Sequence, residues 1–368
     1  MKVAIVHDYI KEYGGAERVL ESLHEIFPDA PVFTTIFLPK FLGPHRERFK
    51  NWKINTSWFQ DIPLKGKLIS PLRILAPFIF QSLDLSKFDV VIVSQTGAYT
   101  PNLISKGKAI QICYTHTPPR YLYGYATARD WKKNTTLRIL GEVANHFLRL
   151  VDYKSSENVD YFIANSKNIA SRIEKFYRRD STVIYPPVDV TSDKLQAASS
   201  KGNYYLAGGR IAKPKHINLI VKTFEELKLP LKVFGRGFAG AELKSSKSNI
   251  EFLGEVSDEE KYALMAGAKA YIFASEDEDF GITPVEAMAN GTPVLAFKSG
   301  GVLETVIEGK TGLFFEELSV KSLSAAVKKL GKMKFNSDII KDEAQKFSKE
   351  RFKREIKNFV NEKSHSKN

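Results

Sequence analysis

The chain has 368 residues, 43% hydrophobic and 26% charged, with a single cysteine and a net charge of +13. That length accommodates two globular domains with cores of their own, and the lone Cys113 excludes a disulfide framework, fits a reducing compartment and reads as buried filler rather than a nucleophile. The opening Met1-Lys-Val-Ala-Ile-Val-His-Asp is too short and polar for a secretory signal, and no run approaches the roughly 18 apolar residues of a membrane span; the expectation is a cytoplasmic protein, at most peripheral at the inner face of the membrane.

The positive charge admits nucleic acid or an anionic membrane surface as partner. Helix-turn-helix, zinc-finger and RNP-type patterns are missing from the sequence, which argues against nucleic acid. From the N-terminus, Val3–Val6 reads as a buried strand with His7-Asp8-Tyr9 at its end, and Tyr13-Gly14-Gly15-Ala16-Glu17 opens a helix to about Phe27. A glycine pair between strand and helix permits close backbone approach to a ligand. Further strands are predicted at Val32–Thr35, Val90–Ser94 and Ala109–Tyr114, with helical patterns among them, which implies a parallel, doubly wound sheet. The stretch from Lys65 to Phe80 joins bulky apolar residues to Lys65, Lys67 and Arg73 with no acid. It is either an interfacial segment on anionic lipid or a core helix whose lysines snorkel.

Tyr114-Thr-His116-Thr-Pro-Pro119-Arg120-Tyr-Leu-Tyr-Gly124 follows a strand's C-terminal end, where open α/β sheets place ligands. Val159–Ser166 then leads into a helix ending near Arg179. Pro186-Pro187 forces extended backbone, and the polar run Thr191–Gly202 has linker composition. The expected domains are therefore residues 1–190 and 191–345, with 346–368 as a closing helix and frayed tail.

The second domain opens with a strand running into Gly208-Gly209-Arg210 and then Lys213-Pro-Lys215. Arg210 and Lys215 can converge on a diphosphate, the one through its fork and the other as a point charge; the alternative is solvated surface cations, and the choice between Lys213 and Lys215 stays open. Leu231–Gly237 is a strand ending in glycines, read as a cleft-lining turn, and Ser257 or Asp258 caps the helix after Ile250–Gly254. Ala270–Ala274 is a buried strand, followed by an acidic, glycine-containing turn. A helix follows with Thr283 as N-cap, Pro284 at its first position and Gly291 as stop. Such a helix start offers N–H groups and a positive dipole end to a phosphate. Glu278 and Glu286, eight positions apart, would repel phosphate and so read as acceptors for sugar hydroxyls on either side of it. Thr283 and Glu286 also fit a capping box, and the acidic run also fits a solvated loop. Asp277 and Asp279 suggest a metal-binding pair, which Arg210 and Lys215 make unnecessary. Gly300-Gly301 opens another helix, and Ile340, Phe347, Phe352, Ile356 and Phe359 trace a final one.

The string from Glu278 to Val294 resembles the E-x7-E signature of the family 4 retaining, nucleotide-sugar-dependent glycosyltransferases. His116-Thr-Pro-Pro-Arg-Tyr-Leu122 is similar to the O-antigen-type mannosyltransferase subgroup. The resemblance covers nearly the whole chain and is strongest over residues 204–312. It implies the GT-B fold, with two doubly wound Rossmann-like domains facing a central cleft. It implies retaining transfer of a hexose, with GDP-mannose as donor and UDP-sugars as the alternative, to a glycan or lipid-linked acceptor in cell-surface polysaccharide (lipopolysaccharide) synthesis. Glu278 and His116 are then expected at the reacting centre, with Arg120, Tyr121 and Tyr123 on the acceptor side. Gly14, Gly15, Arg210, Lys215, Phe280, Gly281, Ile282, Thr283 and Glu286 are expected around the donor. No metal or other cofactor is expected. A sugar-nucleotide epimerase or phosphorylase of the same fold, and a non-catalytic binding protein with a worn-out cleft, are the other classes open.

Overall fold

The computed structural model of the protein describes residues 1–127, 135–190, 202–237, 245 and 247–365. These fall into two compact units. Of the described residues, one holds Met1–Tyr125, the stretch from Thr135 to Pro187 and the C-terminal stretch from Glu350; the other holds Val188–Lys349 together with Ala126 and Thr127. The predicted linker from Thr191 lies almost wholly outside the described residues.

The first unit is built on seven strands: β1 (Val3–His7), β2 (Val32–Thr34), β3 (Ile54–Thr56), β4 (Val90–Gln95), β5 (Ile110–Thr115), β6 (Tyr161–Ala164) and β7 (Ser181–Val183). All pair in parallel, in the order β3-β2-β1-β4-β5-β6-β7. The central strands β1, β4 and β5 are buried along their whole length, as unbroken apolar runs covered on both faces must be. One face packs on Ile79, Phe80, Ile169, Ile173 and Tyr177, from helices α3 (Ala76–Gln81) and α5 (Lys167–Tyr177). The other packs on Val19, Leu20 and Leu23 of α1 (Gly15–Ile26) and on Phe352, Ile356, Phe359 and Val360 of the C-terminal helix α11 (Lys349–His365). The segment predicted as one piece from Lys65 to Phe80 is broken into a four-residue helix α2 (Lys65–Leu68), a 3-10 turn at Pro71–Leu75 and α3. Proline at 71 and 77 removes the backbone donors that a continuous helix needs. Before β6 comes the long helix α4 (Thr135–Ser156).

The second unit carries six parallel strands, β8 (Tyr205–Gly208), β9 (Leu231–Phe234), β10 (Ile250–Gly254), β11 (Tyr271–Phe273), β12 (Val294–Phe297) and β13 (Gly312–Phe315). Their order is β10-β9-β8-β11-β12-β13. Helices α6 (Ile217–Leu227), α7 (Asp258–Gly267), α8 (Ile282–Ala289), α9 (Val320–Leu330) and α10 (Ser337–Gln345) complete it. Its core joins Ile220 and Phe224 of α6 to Leu323 and Val327 of α9 over the sheet.

Four expectations need correction here. The helix after β11 starts at Ile282, with Gly281 as N-cap and no side-chain cap. Gly281 adopts φ +93°, a turn open to glycine, so the chain enters the helix two residues before the predicted start. Pro284 then sits third, where a backbone N–H would lack an intrahelical partner anyway. Glu286 does not close a capping box. Gly300–Glu304 is a single 3-10 turn rather than the opening of a helix. The final apolar periodicity is two helices, α10 and α11, interrupted at Lys346–Ser348. Elsewhere Ser257, not Asp258, caps α7. Its hydroxyl accepts from the Glu260 N–H at 3.1 Å, and Glu260 accepts from the Ser257 N–H at 2.9 Å.

Candidate active site

Each sheet reverses its winding once, between β1 and β4 in the first unit and between β8 and β11 in the second. At such a point the loops leaving adjacent strands diverge, and the strands' C-terminal ends line a crevice. The predicted residues gather at these two places.

In the second unit β8 ends at Gly208, and the chain passes Gly209 and the exposed Arg210 to a 3-10 turn at Lys213–Lys215. That turn aims Lys215 at the loop after β11: Lys215 Nζ lies 2.5 Å from Glu278 Oε2. The Ser275 hydroxyl donates to the same oxygen at 2.6 Å. The acidic turn is therefore not a free solvated loop. It is pinned further by the Glu276 N–H donating to the Pro214 carbonyl at 2.8 Å and the Gly301 N–H donating to the Glu278 carbonyl at 2.7 Å. A Cβ on Gly300 would stand 2.3 Å from that same carbonyl oxygen, so only glycine lets the loop after β12 support the one carrying Glu278. Glu276 also meets His216 Nε2 at 3.3 Å.

Glu286, on α8, is 3% exposed and accepts from Lys261 Nζ at 2.9 Å, while Lys261 also reaches Asp258 at 2.9 Å. Between the two glutamates stands Tyr271. Its hydroxyl donates to the Gly208 carbonyl at 2.7 Å, and Thr283, free of any capping role, bonds to that same hydroxyl. Burial first, then the negative charges of Glu286 and Glu278, hold this phenol above its ordinary pKa. The two carboxylates thus bracket a hydroxyl that stays protonated. Phe280 is buried edge-on to Phe347, 5.4 Å between ring centres, so it contributes its backbone rather than its ring. Gly281 and Ile282 form the helix start beside it.

The first unit's cluster is of another kind. His7, at the end of β1, Ser94, at the end of β4, and His116, just past β5, form a chain: His7 Nδ1 to Ser94 Oγ is 3.0 Å, and Ser94 Oγ to His116 Nε2 is 2.9 Å. Burial, then the charge of His7, lowers the His116 pKa to about 3, so its imidazole is neutral at physiological pH. Asp8 accepts through one oxygen from the Thr96 hydroxyl at 2.5 Å and from the N–H groups of Ala98 and Tyr99, each at 3.2 Å. Its other oxygen is buried without a hydrogen-bond partner, and burial raises its pKa. Gly14 is the N-cap of α1 and Gly15 its exposed first residue. The Gly14 N–H, expected at a phosphate, donates to Glu17 Oε2 at 2.8 Å. Tyr121 lies under the Arg73 guanidinium, 4.2 Å from ring centre to charge, and Tyr123 donates to Asp152 at 2.7 Å.

Several side chains were missed in the sequence, among them Lys261, Ser94 and Glu17, and with them Ser275 and Tyr271. Lys261 lies 25 positions from Glu286 and Ser94 lies 22 from His116, and no local spacing links such pairs. Of the first three, only Glu17 had a signal, three residues after Gly14 at the helix start.

Residues 13–192 match the family model described as Glycosyltransferase Family 4, and residues 191–354 match Glycosyl transferases group 1. The chain belongs to the family 4 glycosyltransferases. Among relatives, it is 24% identical to the alpha-1,3/1,6-mannosyltransferase alg2 of Schizosaccharomyces pombe, over 85% of this chain and 70% of that one. It is 26% identical to the ALG2 enzyme of Dictyostelium discoideum, over 66% and 67%. Among solved structures, Anabaena HepE in complex with UDP and glucose superposes with a TM-score of 0.70 at 19% identity, covering 98% of this chain and 99% of that one. That likeness establishes the GT-B fold for this glycosyltransferase.

Proposed function

We propose that this enzyme transfers mannose from GDP-mannose, with retention of configuration, to a glycan or lipid-linked saccharide. The carrying observation is the pair of buttressed carboxylates at the second sheet's reversal point, Glu278 held by Lys215 and Ser275, Glu286 held by Lys261. The mannosyltransferase names of the sequence relatives support the sugar.

Each group has a separate task. Glu286, its carboxylate oriented by Lys261, accepts the ribose hydroxyls. Arg210 and Lys215 neutralise the diphosphate, and the start of α8 at Phe280–Thr283 adds N–H donors and the positive end of its dipole. When the diphosphate takes Lys215 as counter-ion, Glu278 is released to accept a hydroxyl of the donor sugar. Stabilising the departing diphosphate is the chief electrostatic contribution to an oxocarbenium-like transition state, and the leaving phosphate itself accepts the acceptor's proton. Glu278 orients and is not a covalent nucleophile. The family resemblance assigns His116 to the donor sugar and the Gly14-Gly15 turn to its phosphates. A neutral imidazole such as His116 serves there by accepting or donating one hydrogen bond.

A second reading, a UDP-sugar donor, is favoured by the UDP and glucose carried by the structural relative. Thermal-shift titration with GDP-mannose, UDP-glucose and UDP-galactose separates the two, and product analysis with GDP-mannose tests the reaction. Stabilisation by UDP-sugars alone moves the donor to the second reading. Isomerised or phosphorolysed product would overturn transfer itself. Turnover that vanishes with EDTA and returns with a divalent cation would overturn the assignment of the diphosphate charge to Arg210 and Lys215.

A further inference from the structure

Helix α4 is inside out. Among its described side chains the buried ones are Asn145, Leu148, Asp152, Ser155 and Ser156, four of the five polar, and each of the four makes a local hydrogen bond. Asn145 donates to the Tyr121 carbonyl at 3.3 Å, Asp152 accepts from Tyr123, and the Ser155 and Ser156 hydroxyls donate to helix carbonyls. Its outer side carries Ile139, Leu140, Val143, Phe147 and Leu150, between 54% and 64% exposed, with Tyr153 at 39%. At 100° per residue these six fall within roughly 140° of arc, a stripe running about 21 Å along the helix. A single exposed leucine needs no explanation, but a contiguous apolar stripe marks an interaction surface.

Charge selects the partner. Arg138, His146 and Lys154 are exposed along the same helix, whereas its two acids are Glu142, half-buried, and Asp152, buried. A neighbouring segment, linked to the buried side of α4, is also apolar and basic at its surface. Arg73 lies over Tyr121, whose carbonyl binds Asn145 of α4. Around Arg73 the chain exposes Leu64 at 71%, Ile74 at 52% and Phe78 at 64%, in a stretch with no acid from Gly66 to Phe80. A basic rim around apolar side chains matches anionic headgroups above acyl chains. Among the described residues no helix is long and apolar enough to cross a membrane, so α4 lies along the surface rather than through it.

We propose that α4, with the adjoining Ile74 and Phe78, docks the protein on an anionic phospholipid bilayer. The inference stands on the burial pattern of α4 and is independent of the donor. The test uses the full chain and vesicles of phosphatidylglycerol and phosphatidylcholine in equal parts, against phosphatidylcholine alone. Wild-type protein should co-sediment with the mixed vesicles only. The double variant Phe147→Ser/Leu150→Ser should lose roughly tenfold or more in bound fraction, and Arg138→Glu/Lys154→Glu should lose binding by a similar factor, with thermal midpoints unchanged. As a readout that survives any folding defect in those variants, Phe147→Trp should shift its emission to the blue with mixed vesicles and not with neutral ones. Wild-type protein indifferent to the anionic vesicles overturns the proposal, as does undiminished binding by the serine variant. Light scattering that shows a dimer dissolved by the same serine substitutions, with no lipid binding, assigns the stripe to a second copy and equally overturns it.

Discussion

The two strand-end clusters share a topology and differ in electrostatics. Beyond β1 and β4 the first unit gathers His7, Ser94, His116 and Asp8 in a buried network where burial drives two members toward their neutral forms: His116 falls to about 3 and Asp8 rises. Beyond β8 and β11 the second unit gathers two ion pairs, Lys215 with Glu278 and Lys261 with Glu286. A buried charge survives only when paired. The second cluster meets that condition with lysines supplied by the 3-10 turn after β8 and by α7, and the first avoids it by shedding charge at His116 and Asp8. A site that must grip a diphosphate and release it needs mobile charge. A site that presents one hydrogen bond to a neutral hydroxyl does better without it.

The sharpest way to break this comparison is Glu278→Ala. It should reduce kcat by roughly 10²-fold or more with little change in donor Kd, checked by steady-state kinetics and calorimetric titration; wild-type turnover would remove Glu278 from the reacting centre. Glu286→Ala should instead weaken donor binding and destabilise the fold by about 3 kcal/mol, because it strips a buried lysine of its more deeply buried partner, with Asp258 left as the other. Glu286→Gln/Lys261→Met should recover the stability in urea denaturation without recovering the affinity, which separates the two roles of the pair. In the first unit Ser94→Ala should lower kcat about tenfold by freeing His116 to rotate, at unchanged circular dichroism.

The pH dependence of stability sharpens the contrast next. Because the folded His116 titrates near 3 and the unfolded imidazole near 6.5, the unfolded chain binds the extra proton in between. His116 therefore contributes less stability as pH falls from 6.5 toward 3. His116→Gln should flatten that limb by up to about 1.4 kcal/mol per pH unit, read from urea midpoints across the window. Asp152, whose carboxyl burial pushes up to about 7, works in the opposite direction, favouring the fold at low pH, so the wild-type limb is shallower than His116 alone would make it. The smallest effect expected is Gly281→Ala, about 1 kcal/mol from the left-handed turn it would strain, with a modest rise in donor Kd as the start of α8 shifts.

Much of the architecture was legible. Val3–Val6, Val90–Ser94 and Ala270–Ala274 are continuous apolar runs too short for helices, followed by glycine turns and amphipathic segments, and that alternation specifies a parallel sheet wrapped by helices. The spacing of Glu278 and Glu286 around Gly281 carried the family likeness. Boundaries failed where glycine allowed two solutions, at Gly281, which starts the helix early, and at Gly300–Glu304, which stays a single turn; between α10 and α11 the apolar periodicity persists across a break and hides it.

Sequence alone thus determined two parallel, doubly wound sheets, because hydrophobic period and turn chemistry are local and are written along the chain; the glycosyltransferase family came from the motif resemblance at Glu278–Val294. Only the tertiary structure decided what each functional side chain meets: Lys215 against Glu278 across 63 positions, Lys261 against Glu286 across 25, Ser94 between two histidines. Only it decided that the apolar side of α4 points outward. Pairing and burial depend on distances between elements brought together by packing, and a linear pattern holds no record of those distances.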